Sequence, residues 1–248
     1  METNNVIATE IILLICYNST MKNNRRKAVL LMAGKSERFS KTGVKKQFAL
    51  LLNKESFLYP LESFISSQLF EEIILVIEEE DRNHIEKILA RENLVFPHRF
   101  VIGGENRNAS VNNALIALKE EGDFKIFIHD AARVILPLDI LLSLNKEIET
   151  VDACAPYLPI ADSIYQPQLN RYVNRDDFVR IQTPQVFDYQ KLFSLYQKGF
   201  SIEDTDDFSK ALRAGFSHKL VLGSPYLYKL TYPEDQKIIE TALLGGVN

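Results

Sequence analysis

The residues best suited to chemistry crowd into one short stretch. Between Lys22 and Lys46 stand nine basic residues, Lys22, Arg25, Arg26, Lys27, Lys35, Arg38, Lys41, Lys45 and Lys46, against the single acid Glu37. The stretch carries +8 in a chain of formal net charge −4, so the remainder carries −12. Such a run is either a solvated basic face, a surface for polyanions or the lining of a phosphate site. Cations held around a phosphorus centre would meet the negative charge that develops there during group transfer.

Three apolar runs end in small residues followed by a cation: Met32-Ala33-Gly34-Lys35-Ser36-Glu37-Arg38, Gly103-Gly104-Glu105-Asn106-Arg107 and His129-Asp130-Ala131-Ala132-Arg133. Small residues at such turns let backbone N–H groups approach phosphate oxygens closely. Gly34-Lys35-Ser36 ends like a P-loop, but that motif needs glycine at position 29, where the chain has Val29. A dinucleotide fingerprint also fails, because Gly34 has no second and third glycine at the required offsets. The segment from Arg38 to Lys46-Gln47 is a long loop, and its composition marks it as functional.

The elements that must position these turns follow from periodicity. Ala28–Met32, Ile73–Ile77, Phe100–Ile102 and Ile126–Ile128 are apolar runs of strand length. Between them, Phe57, Leu61, Phe64 and Ile65, then Ile85, Ile88 and Leu89, then 109–118 repeat at helical spacing. Four β-then-α units imply a Rossmann-like, mostly parallel α/β sheet with helices on both faces. In such a sheet the ligand sits beyond the carboxyl ends of the strands. The rhythm breaks between Pro159 and Pro184, where polar alternation around Ser163 to Val173 predicts a protruding β-hairpin arm at about 160–180. After it come helices near 189–196 and 206–214, strands at 219–222 and 226–231, and a closing helix over 233–244.

At 248 residues, 46% hydrophobic and 25% charged, the composition is that of a globular chain and excludes disordered, fibrous and membrane-spanning classes. Two cysteines, Cys16 and Cys154, cannot staple a fold of this size, and His84, His98, His129 and His218 lack zinc-ligand spacing. A reducing, cytoplasmic setting is expected, with no membrane partner, and the acidic balance argues against nucleic acid. Residues 1–26 read as an N-terminal extension, with Met21 as the expected natural start, and 27–248 as one domain. Mass spectrometry of the native protein tests the start: an intact Met1 end would reject it.

Taken together, the segments from Lys27 to Ile239 resemble the 2-C-methyl-D-erythritol 4-phosphate cytidylyltransferases and, more broadly, the sugar-nucleotide pyrophosphorylases. The resemblance rests on Ala33-Gly34 with Arg38, Lys46-Gln47, Gly103-Gly104 with Arg107, Ser110 and Val111, and His129-Asp130-Ala131-Ala132-Arg133. Asp162-Ser163, Gln182-Thr183-Pro184-Gln185, Thr205-Asp206-Asp207 and Lys229-Leu230-Thr231 with Pro233 complete it.

The resemblance implies a nucleotide-diphospho-sugar transferase fold and attack of an alditol-type monophosphate on the α-phosphorus of CTP, expelling pyrophosphate. Arg38 and Lys46 match the family's transition-state cations, and Arg175 and Lys229 the pair that positions the acceptor phosphate. Ala33, Gly34, Gly103, Gly104, Glu105, Ser110, Asp130 and Ala131 fall at CTP-binding positions, and Arg133, Ser163 and Thr183 at acceptor positions. Mg²⁺ is expected with CTP, with Asp130 as its candidate ligand, and a homodimer through the arm is implied. No general base is needed, since a phosphate monoester is largely dianionic at neutral pH.

Departures from the family pattern are Lys45 for proline, Ser36 for glycine, Glu105 for aspartate, Val134 for proline, Ser163 for threonine and Tyr228 for asparagine. Loss of the proline predicts a more mobile loop around Lys46. Two alternatives stand beside the lead reading. One is a ribitol-5-phosphate cytidylyltransferase, which the intact Asp130-Ala131-Ala132-Arg133 disfavours; the other is a catalytically weak nucleotide-binding homologue, which the retained cations disfavour.

Overall fold

A computed structural model describes residues 25–34, 36, 38–39, 44–199 and 204–246. The expectations for residues 1–24, Met21 included, and for Lys35 and Lys41 lie outside the described residues.

The first strand, β1 (Arg26–Leu31), is followed in the chain by β2 (Leu50–Leu51), β3 (Lys54–Glu55) and α1 (Leu58–Ser67). Then come β4 (Glu72–Ile77), α2 (Arg82–Arg91), β5 (His98–Ile102), α3 (Arg107–Ala117), β6 (Lys125–Asp130) and α4 (Leu138–Glu147). The second half holds β7 (Ala153–Pro159), β8 (Ile164–Gln166), β9 (Arg171–Val173), β10 (Val179–Ile181) and β11 (Gln185–Asp188). The chain closes through α5 (Tyr189–Tyr196), α6 (Asp207–Arg213), β12 (His218–Leu222) and α7 (Asp235–Leu244).

Eight strands form the main sheet, in the order β10-β7-β11-β6-β1-β4-β5 with β12 on the other side of β7. β5, β4, β1 and β6 are parallel, whereas β11 is antiparallel to both β6 and β7. The chain leaves β1 toward β4 and β5 and returns on its far side as β6. The strand order therefore reverses at β1, and the crevice for a ligand opens at the carboxyl ends of β1 and β6.

Both sheet faces are covered, as the unbroken apolar runs require. Ala28, Leu30 and Met32 face a core with Leu58, Leu61, Phe64, Ile88 and Leu141, whereas Val29 faces Val111, Leu115, Tyr189 and Leu192 on the opposite side. A smaller cluster of Phe39, Leu51, Val134, Ile135, Leu230 and Ile239 packs α7 and the β2–β3 hairpin beneath the crevice. Among the described residues no helix is long and apolar enough to cross a membrane.

The first described strand, β1, opens at Arg26, one residue before the expected boundary. The arm is present as β8 paired antiparallel with β9, at Ile164↔Val173 through Gln166↔Arg171. The expected strand over 226–231 is not formed. Its one sheet-like contact is a bridge between Lys229 and Arg133. Leu227 and Leu230 are buried while Tyr226 and Tyr228 are exposed, so this segment is fixed by side-chain burial and by the Leu230 N–H donating to the Ala132 carbonyl at 2.7 Å.

Most of the basic stretch does not serve the crevice. Arg25 pairs with Glu71 at 3.0 Å, Arg26 with Glu149, and Lys27 with Glu72 and Glu121 at 2.6 Å each, all at the amino end of β1. Lys45 pairs with Glu80 at 2.7 Å and Asp81 at 2.8 Å. Of the described cations in the stretch, Arg38 and Lys46 remain without a carboxylate partner.

Candidate active site

A cavity of about 320 Å³ opens where the switch in strand order predicts one. Its wall holds Ala33, Gly34, Lys46, Gly104, Glu105, Ser110, Asp130, Ala131 and Lys229 of the expected residues, with Gln47, Asn106 and Arg107 added. Turns after β1, β5 and β6 supply most of them. The short helical turn Lys46–Phe48 supplies Lys46 and Gln47, and the segment before α7 supplies Lys229.

The glycines after β5 are required by packing. A Cβ on Gly103 would lie 2.3 Å from the Ala33 Cβ, and one on Gly104 would lie 2.4 Å from the Ala109 Cβ. The Gly103 N–H donates to the Ile77 carbonyl at 2.8 Å and the Gly104 N–H to the Ser110 hydroxyl at 3.0 Å. Asn106 caps α3 by accepting from the Ala109 N–H at 2.9 Å. Among the described residues no hydrogen bond ends on the Gly103 or Gly104 carbonyl oxygen, and Gly104 lines the cavity.

Asp130, at the end of β6, joins two cations. One carboxylate oxygen lies 2.7 Å from the Lys229 ammonium and the other 3.0 Å from Arg107 Nε. Burial alone would raise this carboxyl, but Arg107 and Lys229 outweigh burial and hold it well below the usual carboxylate range. Arg107 also reaches the fully buried Asp207 at 2.8 Å, and Asp207 accepts from the Tyr196 hydroxyl. Arg107 is therefore the strut between the cavity and α6. Its position four residues after Gly103 was the signal available for it in the sequence.

Among the described residues Lys46 has no carboxylate partner. Desolvation lowers its pKa, the ammonium of Lys229 lowers it further, Asp130 opposes both, and Arg38 adds a last lowering contribution. The cavity thus holds cations that repel one another, which is the field an incoming polyanion relieves. Arg38 is exposed beside the buried Phe39, and the Lys46 stem passes over Gly34, where a Cβ would lie 3.9 Å from Lys46 Cε.

Two polar contacts reach the turn that presents Lys46. Ser36 takes a left-handed conformation at φ 59, where glycine would be unstrained. Its hydroxyl accepts from the Lys46 backbone N–H at 2.9 Å. Lys45 adds the ion pair to Asp81. The two departures from the family pattern each bring a polar contact to the same turn.

Six expected residues fall outside the cavity wall: Arg38, Gly103, Thr183, Arg133, Ser163 and Arg175. Thr183 is buried, and its hydroxyl accepts from the Asp130 N–H at 3.2 Å while lying 3.0 Å from His129 Nδ1. Arg133 donates to the Leu227 carbonyl at 2.7 Å, fixing the segment that carries Lys229. Ser163 and Arg175 are exposed on the arm, where the Arg175 guanidinium donates to the Ala161 carbonyl. His129 is wholly buried and bonds the Arg133 carbonyl at 3.0 Å, so it supports the loop and offers no base.

No cluster of three His, Cys, Asp or Glu side chains suited to a metal occurs among the described residues. Both oxygens of Asp130 already face cations, so this carboxylate is poorly placed to hold Mg²⁺ by itself.

The profile of the family described as IspD, 2-C-methyl-D-erythritol 4-phosphate cytidylyltransferase, matches residues 27–244. The chain is 33% identical over 211 residues to a bifunctional IspD/IspF enzyme of Pelagibacter ubique, covering 84% of this chain and 55% of that one. It is 30% identical to the 2-C-methyl-D-erythritol 4-phosphate cytidylyltransferase of Azobacteroides pseudotrichonymphae, covering 88% of this chain and 99% of the relative. Among solved structures, the bifunctional IspDF of Campylobacter jejuni superposes with a TM-score of 0.73 at 28% identity, over 86% of this chain and 54% of that one. The chain thus spans about half the length of the bifunctional relatives and nearly all of the single-activity one. With its sequence matched from β1 to α7 and its glycines, Asp130, Lys46 and Lys229 gathered at one crevice, the chain belongs to the 2-C-methyl-D-erythritol 4-phosphate cytidylyltransferase family.

Proposed function

We propose that this chain carries out its family's reaction, transferring CMP from CTP to 2-C-methyl-D-erythritol 4-phosphate and releasing pyrophosphate. One observation carries the reading: Lys46, which has no carboxylate partner among the described residues, and Lys229, which is paired with Asp130, line one cavity together with Gly34 and Gly104. Lys46 and Arg38 supply positive charge to the α-phosphate as the fifth oxygen approaches it. Lys229, braced by Asp130, orients the acceptor's phosphate for in-line attack. The acceptor oxygen is already an anion, so the attack needs no base. The neutral, buried His129 is consistent with that.

The cytosine amine donates hydrogen bonds where uracil would present a carbonyl. The carbonyl oxygens of Gly103 and Gly104 are the acceptors for it, with the Ser110 hydroxyl holding the Gly104 N–H. Mg²⁺ enters as part of the substrate, bound to the triphosphate oxygens, where it offsets their charge. The arm joins a second copy of the chain through Leu169, Tyr172 and Phe178, all exposed. In that dimer Arg175 and Ser163, which lie away from this chain's own cavity, are available to the neighbouring one. CTP is an intracellular nucleotide, and the buried Cys154 thiol is unpaired, so the cytoplasm is the compartment of this reading.

The test is pyrophosphate release by the purified chain with CTP and Mg²⁺ and each acceptor in turn. Release with 2-C-methyl-D-erythritol 4-phosphate alone is expected. Release with ribitol 5-phosphate alone would reassign the acceptor, and release with neither would leave a nucleotide-binding homologue.

A further inference from the structure

Gln47 is 2% exposed and is one of the residues that line the cavity, together with Lys46 and Gly34. Its backbone is fixed, with the carbonyl accepting from the Phe57 N–H at 3.2 Å. The amide oxygen lies 3.3 Å from the Ser36 hydroxyl, whose own oxygen accepts from the Lys46 N–H. The amide nitrogen has no partner among the described residues. A buried amide donor left unmatched costs roughly 1–3 kcal/mol. A fold that holds one rigidly at a ligand cavity is holding it for an acceptor that arrives with the ligand.

We propose that Gln47 is a further nucleotide-binding residue of this site, its side-chain NH₂ donating to a phosphate oxygen of CTP, with Ser36 as the residue that orients the amide. The inference rests on the CTP reading above. The wall that Gln47 shares holds Lys46, Lys229 and Arg107 with the carboxylates Asp130 and Glu105, and Lys46, its neighbour in sequence, has no carboxylate partner among the described residues, so the ligand atom that suits this donor is anionic. The neutrality of the donor also has a reason. Lys46 and Lys229 already repel each other, and a third ammonium would raise the cost of assembling the empty site. An amide adds a donor without adding to that repulsion. The contact is made as the triphosphate binds, so it acts on binding rather than on the chemical step.

The experiment is calorimetric titration of the full chain with CTP and Mg²⁺ in the absence of acceptor, beside titration with cytidine. Gln47→Glu replaces the donor with an anion, and Gln47→Met removes it with little change in volume. CTP affinity is expected to fall by at least about tenfold in Gln47→Met, and by more in Gln47→Glu, on the scale of a charge-assisted hydrogen bond. Cytidine affinity is expected to be unchanged in both. In steady-state assays the loss appears in kcat/KM for CTP. CTP affinity equal to that of the unaltered chain in Gln47→Met, or equal losses for CTP and cytidine, would overturn the proposal even if Gln47→Glu does not fold. Failure of the unaltered chain to bind CTP would instead overturn the CTP reading, and this inference with it.

Discussion

The Lys229 ammonium lies 2.7 Å from a carboxylate oxygen of Asp130, across 99 positions of sequence, and the other oxygen of that carboxylate lies 3.0 Å from Arg107. One anion thereby spaces two cations that the site needs close together. Asp130→Asn keeps the shape and removes the charge, leaving the largely buried Arg107 with Asp207 as its remaining carboxylate. Removing one partner from a buried ion pair typically costs about 3 kcal/mol or more. Urea unfolding is expected to show a loss of that order. A variant within about 1 kcal/mol of the unaltered chain would mean that the two cations are satisfied without Asp130.

Lys46 has no carboxylate partner among the described residues, and the proposed function assigns it to the ligand. Lys46→Ala is expected to lower turnover at least about a hundredfold, the scale on which a pre-organised donor acts in the transition state. Its circular dichroism and melting temperature are expected to match those of the unaltered chain. Near-normal turnover in the folded variant would remove Lys46 from the chemistry.

The same residue predicts a pH limit. Desolvation and then the Lys229 ammonium lower the Lys46 pKa from its ordinary 10.5, so the free enzyme loses this charge at lower pH than an exposed lysine would. In a plot of kcat/KM for CTP against pH, the alkaline limb is expected to fall below the usual lysine range. Lys46→Arg is expected to abolish that limb, because a guanidinium does not deprotonate there. An unchanged limb in Lys46→Arg would assign it to another group.

His129 predicts a pH dependence of stability instead. Burial pushes its imidazole down to about 4 from an ordinary 6.5, against opposing contributions from the Arg133 carbonyl and Asp130. A histidine lowered on folding takes its proton more readily in the unfolded chain. Its contribution to stability is therefore intact above 6.5 and drains away as pH falls toward 4, by up to about 3 kcal/mol in all. Chemical denaturation at pH 7 and pH 5 is expected to show this slope, and His129→Asn to flatten it. The imidazole Nε2–H donates to the Arg133 carbonyl, so Nδ1 accepts from Thr183 in the neutral form. An equal slope in His129→Asn would place the titration elsewhere.

The parallel half of the sheet was legible because Ile73–Ile77 and Ile126–Ile128 are buried on both faces and leave continuous apolar runs. The cavity followed from it, since Ala33 and Gly104 stand just past strand ends and Asp130 ends β6. What the sequence hid was partnership. Arg25, Arg26 and Lys27 read as part of one basic patch with Lys46, yet their charge goes to Glu71, Glu149, Glu72 and Glu121, which are far away in sequence. Thr183 and Arg133 carry polar groups of the right kind but use them on Asp130 and Leu227. The 226–231 segment has the alternation of a strand because Leu227 and Leu230 anchor a loop. Only the tertiary arrangement separates these cases.

Lys45 tests how the Lys46 turn is held. Its backbone, at φ −66 and ψ 139, suits proline, while its ammonium reaches Asp81. Lys45→Met loses the bridge and gains no restraint, so a cost of about 1 kcal/mol and reduced turnover are expected. Lys45→Pro loses the bridge but restricts the unfolded chain by about 0.4–1 kcal/mol. It is expected to recover much of the stability and turnover lost in Lys45→Met. Equal damage in both variants would show that the ion pair itself, rather than rigidity of the turn, sets Lys46.

The arm has no core of its own. Tyr165 and Tyr172 meet at 5.2 Å across the β8–β9 pair, yet Tyr172 stays 74% exposed and Leu169 56%. Two three-residue strands are too short to be stable alone in water, and apolar side chains on such a projection call for a covering surface. If a second copy provides it, Leu169→Glu places a carboxylate in a buried, apolar contact. The variant is expected to elute and scatter as a monomer where the unaltered chain is a dimer. Because Arg175 sits on the same arm, outside its own chain's cavity, monomerisation is expected to raise KM for the acceptor phosphate while leaving CTP binding intact. A Leu169→Glu protein of unaltered mass and acceptor KM would separate the arm from both assembly and catalysis.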